Sequence, residues 1–447
     1  MKKSLRLITA ISFAATGLIT VAILPASGAA KVHKVVCYRL VANKVKSDKF
    51  NKDCPKGWTK TKPKPKPTPA TSLMGSNKPG DTDLNVPSSV SLAINGSSFD
   101  APLVGVTTSG SSAYSAGGKV SFSSYPAAGS GAGRTGITNG SLDIGFTDVP
   151  MTSAAAGTIP SGASEANYVQ VPYLLGGGVI GYNLGAGFNN NVKLTAAEVA
   201  DIYNGTITLW SDPQIVATNG GAKSTVGAAL TELATANEPK NTIKVFYRAA
   251  SSGTTEAFTY WLYQAGNSGI APSGGAVMEG AGGAWKASNI DGVANNAGMA
   301  QGIDSTLGGI GYVEYSYLLI PGNAAIETAQ LQDKNGQWLS PSLTSIGNAA
   351  AAAGSAVTPD NFAITDEAGS NVWPFATYSW AVVVKSQSSL ATCEAETKYL
   401  DWETHYGQNA LAKAEGYVPL PLAARAYARA QLETVTSGGT VCVTQTS

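Results

Sequence analysis

Histidine and cysteine are scarce in this sequence of 447 residues, which contains two His and four Cys. Catalysis by histidine and a metal site built from His and Cys are therefore not expected. Charged residues make up only 13% of the chain, and no apolar run beyond the N-terminus is long enough to span a bilayer. The 51 glycines are typical of a compact exported protein with many turns. The length allows two to three domains.

The N-terminus, Met1–Ala30, has the pattern of a signal peptide. A basic start is followed by an apolar stretch, Leu7–Leu24, and by small residues. We expect cleavage near Gly28–Ala30 and a secreted, cell-surface or periplasmic protein. The alternative is an uncleaved N-terminal anchor. A lipoprotein anchor is not indicated, because no Cys follows the apolar stretch directly.

The charge is divided unevenly along the chain. Residues 31–69 carry a net charge of +10, whereas residues 70–447 carry −12, which indicates two units with different partners. Residues 31–60 form a small basic module in which Cys37 and Cys54 are expected to pair, because a module without a core needs a staple. This basic module fits two roles equally: attachment to an anionic cell-wall polymer or membrane surface, and a solvated spacer. Residues 61–87 are a Pro/Lys linker of extended chain.

Strands and helices alternate from about residue 88 onward, which predicts an α/β fold. Ligands in such folds bind where strands end and helices begin. Cys393 and Cys442 are expected to form a second staple near the C-terminus, although four cysteines also allow other pairings. The predicted strands include Val90–Ile94, Val120–Ser124, Ile243–Tyr247, Gly309–Tyr317 and Trp373–Val384, and the predicted helices Thr195–Tyr203, Asn289–Gly302, Pro341–Ala353, Thr392–Thr404 and Leu422–Val435.

The most informative stretch is Tyr125–Pro150, with the sequence YPAAGSGAGRTGITNGSLDIGFTDVP. Its loop of small residues, Gly129–Gly133, precedes a predicted helix, and backbone N–H groups at a helix start attract anions. Asp148 follows a short apolar run. A carboxylate beside an anion site makes sense when the anion carries a proton to donate, as phosphate does and sulfate does not. Sulfate would leave a buried acceptor unpaired, at a cost of about 1–3 kcal/mol.

Three other short stretches supply matching chemistry: Ser97–Phe99, Arg248, and Ser252–Thr254. Hydroxyl and backbone donors combine there with a guanidinium fork suited to an oxyanion. Each stretch alone also fits an ordinary turn or a helix cap. The GAGRTG sequence matches a dinucleotide motif, but it does not follow a strand directly. His405, the only His of the main domain, is expected at the surface, so a serine nucleophile lacks a base.

Five blocks of the sequence occur together in one known family. They read NGSSFDAP, YPAAGSGAGRTGITNGSLDIGFTDVPM, LTAAEVADIYNGTITLWSDPQI, YRAASSGTTEAFTYWL and GGIGYVEYSYL. In this order they resemble the phosphate-binding receptors of phosphate ABC importers, a periplasmic-binding-protein family. The resemblance covers Ser88–Val435.

The resemblance implies a type II periplasmic-binding-protein fold, with two α/β lobes and a hinge of two crossings. Lobe one would comprise residues 88–172 and 377–447, and lobe two residues 173–376. The implied partners are inorganic phosphate and ABC permease subunits; no cofactor, metal, nucleic acid or enzymatic activity is implied, and a monomer is expected. The implied phosphate-binding residues are Ser98, Phe99, Ser130, Asp148, Arg248, Ser252, Gly253 and Thr254.

One position departs from the family pattern. The family often has Asp two residues after the arginine, where it helps to hold the guanidinium, and this chain has Ala250. Arg248 would then be oriented by another acid, such as Glu256 or Asp148. Ala250 also leaves open a changed ligand, such as another oxyanion or a phosphorylated compound. A separate alternative is a surface-attached phosphatase or adhesion protein on the same scaffold.

Overall fold

The chain separates into two compact units, Met1–Leu73 and Met74–Ser447. The computed structural model describes residues 35–41, 44–50, 54, 60, 86, 88–109, 112–153, 158–186, 188, 191–267, 285–354 and 357–443. The expected signal peptide and nearly all of the expected linker lie outside these residues.

The first unit contains an antiparallel hairpin of β1 (Val35–Val41) and β2 (Lys44–Phe50). Cys54 is disulfide-bonded. Its expected partner, Cys37, lies on β1, and the side chain of Cys37 is outside the described part of the structure. The pairing of these two cysteines therefore stays a prediction.

The second unit alternates strands and helices, as expected from the sequence. Its strands are β3 (Val90–Leu92), β4 (Ile94–Gly96), β5 (Val120–Phe122), β6 (Ile144–Thr147), β7 (Tyr168–Asn183), β8 (Lys193–Leu194), β9 (Lys244–Arg248), β10 (Ile290–Val293), β11 (Gly309–Glu314), β12 (Glu327–Thr328), β13 (Gln330–Gln332), β14 (Trp338–Leu339), β15 (Ala376–Val384), β16 (Ser386–Gln387), β17 (Thr436–Ser437) and β18 (Thr440–Val441). Its helices are α1 (Ala101–Thr108), α2 (Ser130–Thr138), α3 (Ala196–Asn204), α4 (Pro213–Thr218), α5 (Thr225–Thr235), α6 (Gly253–Gln264), α7 (Asn296–Ser305), α8 (Leu343–Ala353), α9 (Leu390–Trp402) and α10 (Leu422–Leu432).

The main sheet has the strand order β10-β9-β11-β7-β15-β6-β4, and β12 also pairs with β7. The long strand β7 belongs to both halves of the sheet. Residues 168–177 run along β15, with an irregularity at Tyr173, and the last six residues pair with β11; both pairings are antiparallel. The outer strands are parallel to their neighbours: β10 to β9, and β4 to β6. Each half therefore has parallel strands whose carboxyl ends are available for a ligand site.

Two separate hydrophobic cores lie on the two halves of this sheet. Leu174 belongs to the core that contains Ile94 and Phe146, whereas Leu175 belongs to the core that contains Val245 and Tyr312. Along β15 the change between cores comes between Trp380 and Ala381. The two long strands β7 and β15 thus each pass from one core to the other.

Most predicted elements are present, and the helix with the clearest end signals is the most accurate. Thr195 caps α3 in a capping box with Glu198, and Gly205 ends the helix in the left-handed conformation (φ 75°). Two predictions are wrong. Val90–Ile94 is not one strand, because β3 pairs with β5 and β4 pairs with β6. Residues 289–302 are not one helix: they begin with strand β10, and α7 starts only at Asn296.

The C-terminal helices contain a histidine that is largely shielded from solvent. The chain continues from α9 as a π-helical segment over Glu403–Ala412. His405 lies there with its side chain only 12% exposed, and its Nδ1 is 2.7 Å from the Asp401 carbonyl oxygen. The expectation of a surface histidine is therefore wrong. Burial lowers the pKa of His405 to about 4, so the ring is neutral at pH 7.

The expected disulfide between Cys393 and Cys442 is present, and it ties α9 to the end of the chain. Among the residues that the structure describes, none of the helices combines the length and the apolar character needed to cross a membrane.

Candidate functional site

Four helices of the second unit begin at one place between the two halves of the main sheet. They are α1, α2, α6 and α7, and α6 and α7 each follow closely on the carboxyl end of a strand. The start of α6 contacts the start of α2, because the N–H of Gly253 donates to the Ser130 hydroxyl at 3.1 Å. The N–H of Asn296, at the start of α7, donates to Ser98 at 3.0 Å. The positive ends of these helix dipoles therefore meet in one region.

Two glycines make the close approach between α2 and α6 possible. Gly129 precedes α2 with φ at +108°, and a Cβ there would lie 2.4 Å from the carbonyl oxygen of Ser251. A Cβ on Gly253 would lie 2.6 Å from the Ser130 hydroxyl. A side chain at either position would push the two halves apart. The predicted loop is shorter than expected, since Ser130 and the residues after it already form the first turn of α2.

Ser98 and Arg248 contact each other across the two halves. The Ser98 hydroxyl accepts from Arg248 Nη1 at 3.1 Å and from Asn296 Nδ2 at 3.1 Å. Arg248 is 1% exposed, and its Nε donates to the Ala294 carbonyl at 3.3 Å. Its Nη2 makes no hydrogen bond within the described residues. The Nη2 group of Arg248 is thus a buried donor that no described protein group accepts.

Asp148 is buried at the end of β6 among hydroxyl donors. Its Oδ2 accepts from Thr254 at 3.3 Å, its Oδ1 lies 2.9 Å from the Ser379 hydroxyl, and its N–H donates to Ser130. Burial raises the pKa of Asp148, while Ser97, Ser379 and Thr254 hydroxyls and the charge of Arg248 oppose that rise. The site therefore combines one carboxylate with a buried guanidinium and several neutral donors.

Two of the eight predicted residues make other contacts in this structure. The N–H of Phe99 donates to the Ser97 hydroxyl at 3.0 Å, and the ring of Phe99 is fully buried. The Ser252 hydroxyl caps α6 by accepting from the N–H of Thr255 at 3.3 Å. The interpretation of this stretch as a helix cap is thus correct for Ser252. The other six form one connected hydrogen-bond network with Asn296.

The orientation of Arg248 differs from the expectation. Its guanidinium is held by the Ala294 carbonyl and by Ser98, and Asp148 acts on it only through its charge. Glu256 has no part in holding Arg248. Within the described residues its carboxylate oxygens accept no hydrogen bond, and burial raises its pKa well above the usual range against the opposing charge of Arg134. Arg248 is therefore held by a backbone carbonyl and a serine hydroxyl.

Three residues of this region are not predicted from the sequence: Asp100, Asn296 and Ser379. Asn296 connects Ser98 to Thr254, with Nδ2 to Thr254 Oγ1 at 3.2 Å. The hydroxyl of Ser379 lies 2.9 Å from a carboxylate oxygen of Asp148 and 2.9 Å from one of Asp100. Asp100 directly follows the predicted Ser98–Phe99 pair, and Ser379 is a polar residue within a buried apolar strand; both were available as signals. Within the described residues, no group of three His, Cys, Asp or Glu is arranged to hold a metal ion.

Comparison with known proteins gives the family. The family model of the PBP superfamily domain matches residues 77–392. The chain is 30% identical over 334 residues to the phosphate-binding protein PstS of Xylella fastidiosa, an alignment that covers 74% of this chain and 82% of the relative. The chain belongs to the PstS family. A second member, the phosphate-binding protein PstS of Pasteurella multocida, is 29% identical over 306 residues, or 68% of this chain and 79% of that one.

Solved structures agree with the family at the level of the fold. A high-affinity periplasmic phosphate-binding protein, PfluDING, matches with a TM-score of 0.56 at 19% identity, over 79% of this chain and 96% of that one. A phosphate-binding protein from Stenotrophomonas maltophilia matches with a TM-score of 0.53 at 20% identity over the same shares. The second unit therefore has the α/β fold of PstS-family proteins.

Proposed function

We propose that this chain binds inorganic phosphate between the two halves of its second unit and delivers it to the permease of an ABC importer. The observation that carries the proposal is that a charged donor and an acidic acceptor lie in one buried site. Arg248 Nη2 is a charged donor that no described group takes up, and Asp148 is an acceptor among donors. The PstS relatives are named as phosphate-binding proteins, and the donors and the acceptor of this site suit such an anion.

The donors suit an oxyanion that needs many hydrogen bonds. The starts of α2 and α6 supply backbone N–H groups and partial positive charge, while Ser98, Ser130 and Thr254 supply hydroxyls. All three hydroxyl side chains are at most 1% exposed. In the structure these donors hydrogen-bond to one another and to Asp148. Phosphate would take over those bonds and add the charge that Arg248 attracts.

Asp148 would let the site select phosphate by the proton that phosphate carries. Monobasic and dibasic phosphate each carry at least one hydroxyl, which donates to a carboxylate, whereas sulfate carries none at neutral pH. A sulfate oxygen facing Asp148 would leave a buried acceptor unpaired and would repel its charge, a penalty of about 1–3 kcal/mol or more. The selectivity would thus come from a proton that the ligand carries, and it requires Asp148 to be ionised.

The ligand would hold two lobes together. We assign lobe one to residues 88–172 and 377–447 and lobe two to residues 173–376, with a hinge of two crossings in β7 and β15. The change of core at Leu174–Leu175 and at Trp380–Ala381 supports this assignment. Since the donors come from both lobes, only the closed form satisfies the anion, and binding would therefore favour closure. This is the type II periplasmic-binding-protein arrangement.

The same site does not favour hydrolysis. His405, the only histidine of the second unit, hydrogen-bonds to the Asp401 carbonyl within the C-terminal helices, so Ser98 and Ser130 have no histidine base. The purified protein is expected not to hydrolyse a chromogenic phosphate ester. Hydrolysis that survives both Asp148→Asn and Arg248→Ala would move the chemistry to another site.

The basic N-terminal segment has a separate role in this proposal. After secretion, residues 31–69, with a net charge of +10, would attach the receptor to an anionic polymer or membrane surface. Deletion of residues 31–69 is expected to release the protein from cells while phosphate binding persists. Unchanged retention at the surface would remove this role.

Calorimetric titration of the anion-stripped protein tests the ligand. Phosphate is expected to bind with 1:1 stoichiometry, and sulfate at a large excess is expected not to displace it. The matched control is Asp291→Asn, which changes an aspartate that is 62% exposed on β10 and should bind phosphate as the unchanged protein does. No heat with phosphate, or equal binding of both anions, would show that the family scaffold has a different ligand.

A further inference from the structure

Ser379 lies between two buried carboxylates. Its Oγ is 2.9 Å from Asp100 Oδ2 and 2.9 Å from Asp148 Oδ1, and the three side chains are at most 1% exposed. A hydroxyl has a single hydrogen, so it donates to only one of the two oxygens at a time. The other contact is a hydrogen bond only if that carboxyl carries a proton and donates to Ser379. Two hydrogen bonds at this hydroxyl therefore need one proton on the pair of acids.

The surroundings of the two acids are unequal. Asp148 Oδ2 accepts from Thr254, and Arg248 supplies a nearby positive charge. Asp100 has no comparable support: its Oδ1 accepts no hydrogen bond within the described residues, and although it occupies the N-cap position of α1, its side chain caps no N–H. A negative charge is thus better stabilised on Asp148 than on Asp100.

The groups that face Asp100 also disfavour a charge there. Burial raises the pKa of Asp100 well above the usual aspartate range, and the neighbouring carboxylates add to the rise. The acids that add to this rise are Asp148, Glu314 and Glu403. The phenols of Tyr125, Tyr317, Tyr399 and Tyr417, contributed by several elements, also interact electrostatically with Asp100.

We propose that Asp100 holds the shared proton and donates it to Ser379, so that Ser379 donates its own hydrogen to Asp148. Asp148 then stays ionised, with Oδ2 directed to the ligand as an acceptor. Asp100 is in this way a positioning residue that fixes the selectivity of a site it does not touch. The inference rests on the proposed function for the identity of the ligand, but the place of the proton can be tested without any ligand.

The first test measures stability against pH without phosphate. An unfolded aspartate releases its proton near pH 4, whereas folded Asp100 keeps it, so folding takes up a proton and stability falls as the pH rises. Asp100→Asn has no proton to take up. Chemical denaturation between pH 5 and 7 gives the unfolding constant of each protein. The constant of the wild type divided by that of the variant is expected to increase about tenfold per pH unit. Parallel profiles would overturn the proposal; Asp291→Asn, at an exposed position, is the control that should remain parallel.

The second test compares the two acids by titration with phosphate and sulfate. The amide of Asp100→Asn donates to Ser379 as the protonated acid does, so this variant is expected to keep its preference for phosphate. Asp148→Asn is expected to lose that preference. The reverse pattern would put the proton on Asp148 and overturn the proposal.

Ser379→Ala covers the case in which Asp100→Asn does not fold. It removes the bridging hydroxyl, and phosphate affinity is expected to fall at least tenfold with a narrower margin over sulfate; binding equal to wild type would count against the proposal. If the wild type itself binds no phosphate, the proposed function fails, and the ligand-free stability test still locates the proton.

Discussion

Replacement of Arg248 by methionine tests whether this cation is needed to bind phosphate. The guanidinium is 1% exposed, and within the described residues it donates only to the Ala294 carbonyl and the Ser98 hydroxyl, both neutral. Burial lowers the pKa of Arg248, while Tyr312 and the charge of Asp148 oppose that decrease. Arg248 is therefore a buried cation whose hydrogen-bond acceptors are neutral and whose charge interacts with that of Asp148.

The size of the effect on binding follows from the bonds that Arg248 would make to the ligand. Loss of one partner of a buried, hydrogen-bonded charge pair costs about 2–5 kcal/mol, which is about a 30- to several-thousand-fold weaker affinity for phosphate. Without ligand, Arg248→Met also removes the positive charge that supports ionised Asp148, and loss of one partner of a buried charged pair is destabilising. We expect the free energy of unfolding to fall, as it should in Arg425→Met.

The assay is calorimetric titration with phosphate together with urea denaturation of the ligand-free protein. Arg425→Met is the matched control, because Arg425 is also buried but donates to the Leu420 carbonyl and to Asn409 among the C-terminal helices. It should lower stability and leave phosphate affinity unchanged. Phosphate affinity of Arg248→Met within threefold of wild type would refute the reasoning, as would a large loss of stability without a loss of binding.

Three further changes test other parts of the structure. Gly253→Ala adds a Cβ 2.6 Å from Ser130 Oγ; overpacking of about 1–3 kcal/mol should weaken phosphate binding about 5- to 150-fold in titration. The control is Gly105→Ala, where a Cβ meets nothing within 4 Å, and it should bind phosphate as wild type does. Equal binding by both variants would show that the approach of α2 to α6 is unimportant. Cys393→Ser/Cys442→Ser opens a link across 49 residues and should cost about 2–4 kcal/mol in urea denaturation, a result that an unchanged midpoint would contradict. Burial lowers the pKa of His405 to about 4, so this residue contributes stability above pH 6.5 that is lost as the pH falls toward 4. The free energy of unfolding of wild type should therefore fall by about 3 kcal/mol more than that of His405→Gln between pH 7 and 4. Parallel pH curves would mean that His405 does not titrate differently on folding.

Local signals in the sequence were enough to find the polar loops of the site. Ser252 precedes a helix with a typical cap, and Asp148 and Arg248 each end or directly follow a strand. Because carboxyl ends of parallel strands meet at one edge of a sheet, these stretches were expected to come together, and in the structure they do. The capping box of α3 fixed that helix almost to the residue.

Contacts between distant segments were not available from the sequence. Ser379 is 231 residues from Asp148, and no local pattern predicts that two strands so far apart become neighbours. The same cause explains the error at Val90–Ile94: a short apolar run looks like one strand, but β3 and β4 have different partners, near residues 120 and 144. Arg248 is held by a carbonyl, that of Ala294, which no side-chain motif encodes.

The most direct test of the phosphate site is a crystal structure of the protein grown with phosphate. We expect the anion between the two lobes, with Arg248 Nη2 and the N–H of Gly253 donating to its oxygens and one oxygen within 2.8 Å or less of Asp148 Oδ2, as a shared proton requires. An anion bound elsewhere, or a site in which Asp148 faces no ligand oxygen, would contradict the proposal that this chain recognises phosphate by its proton.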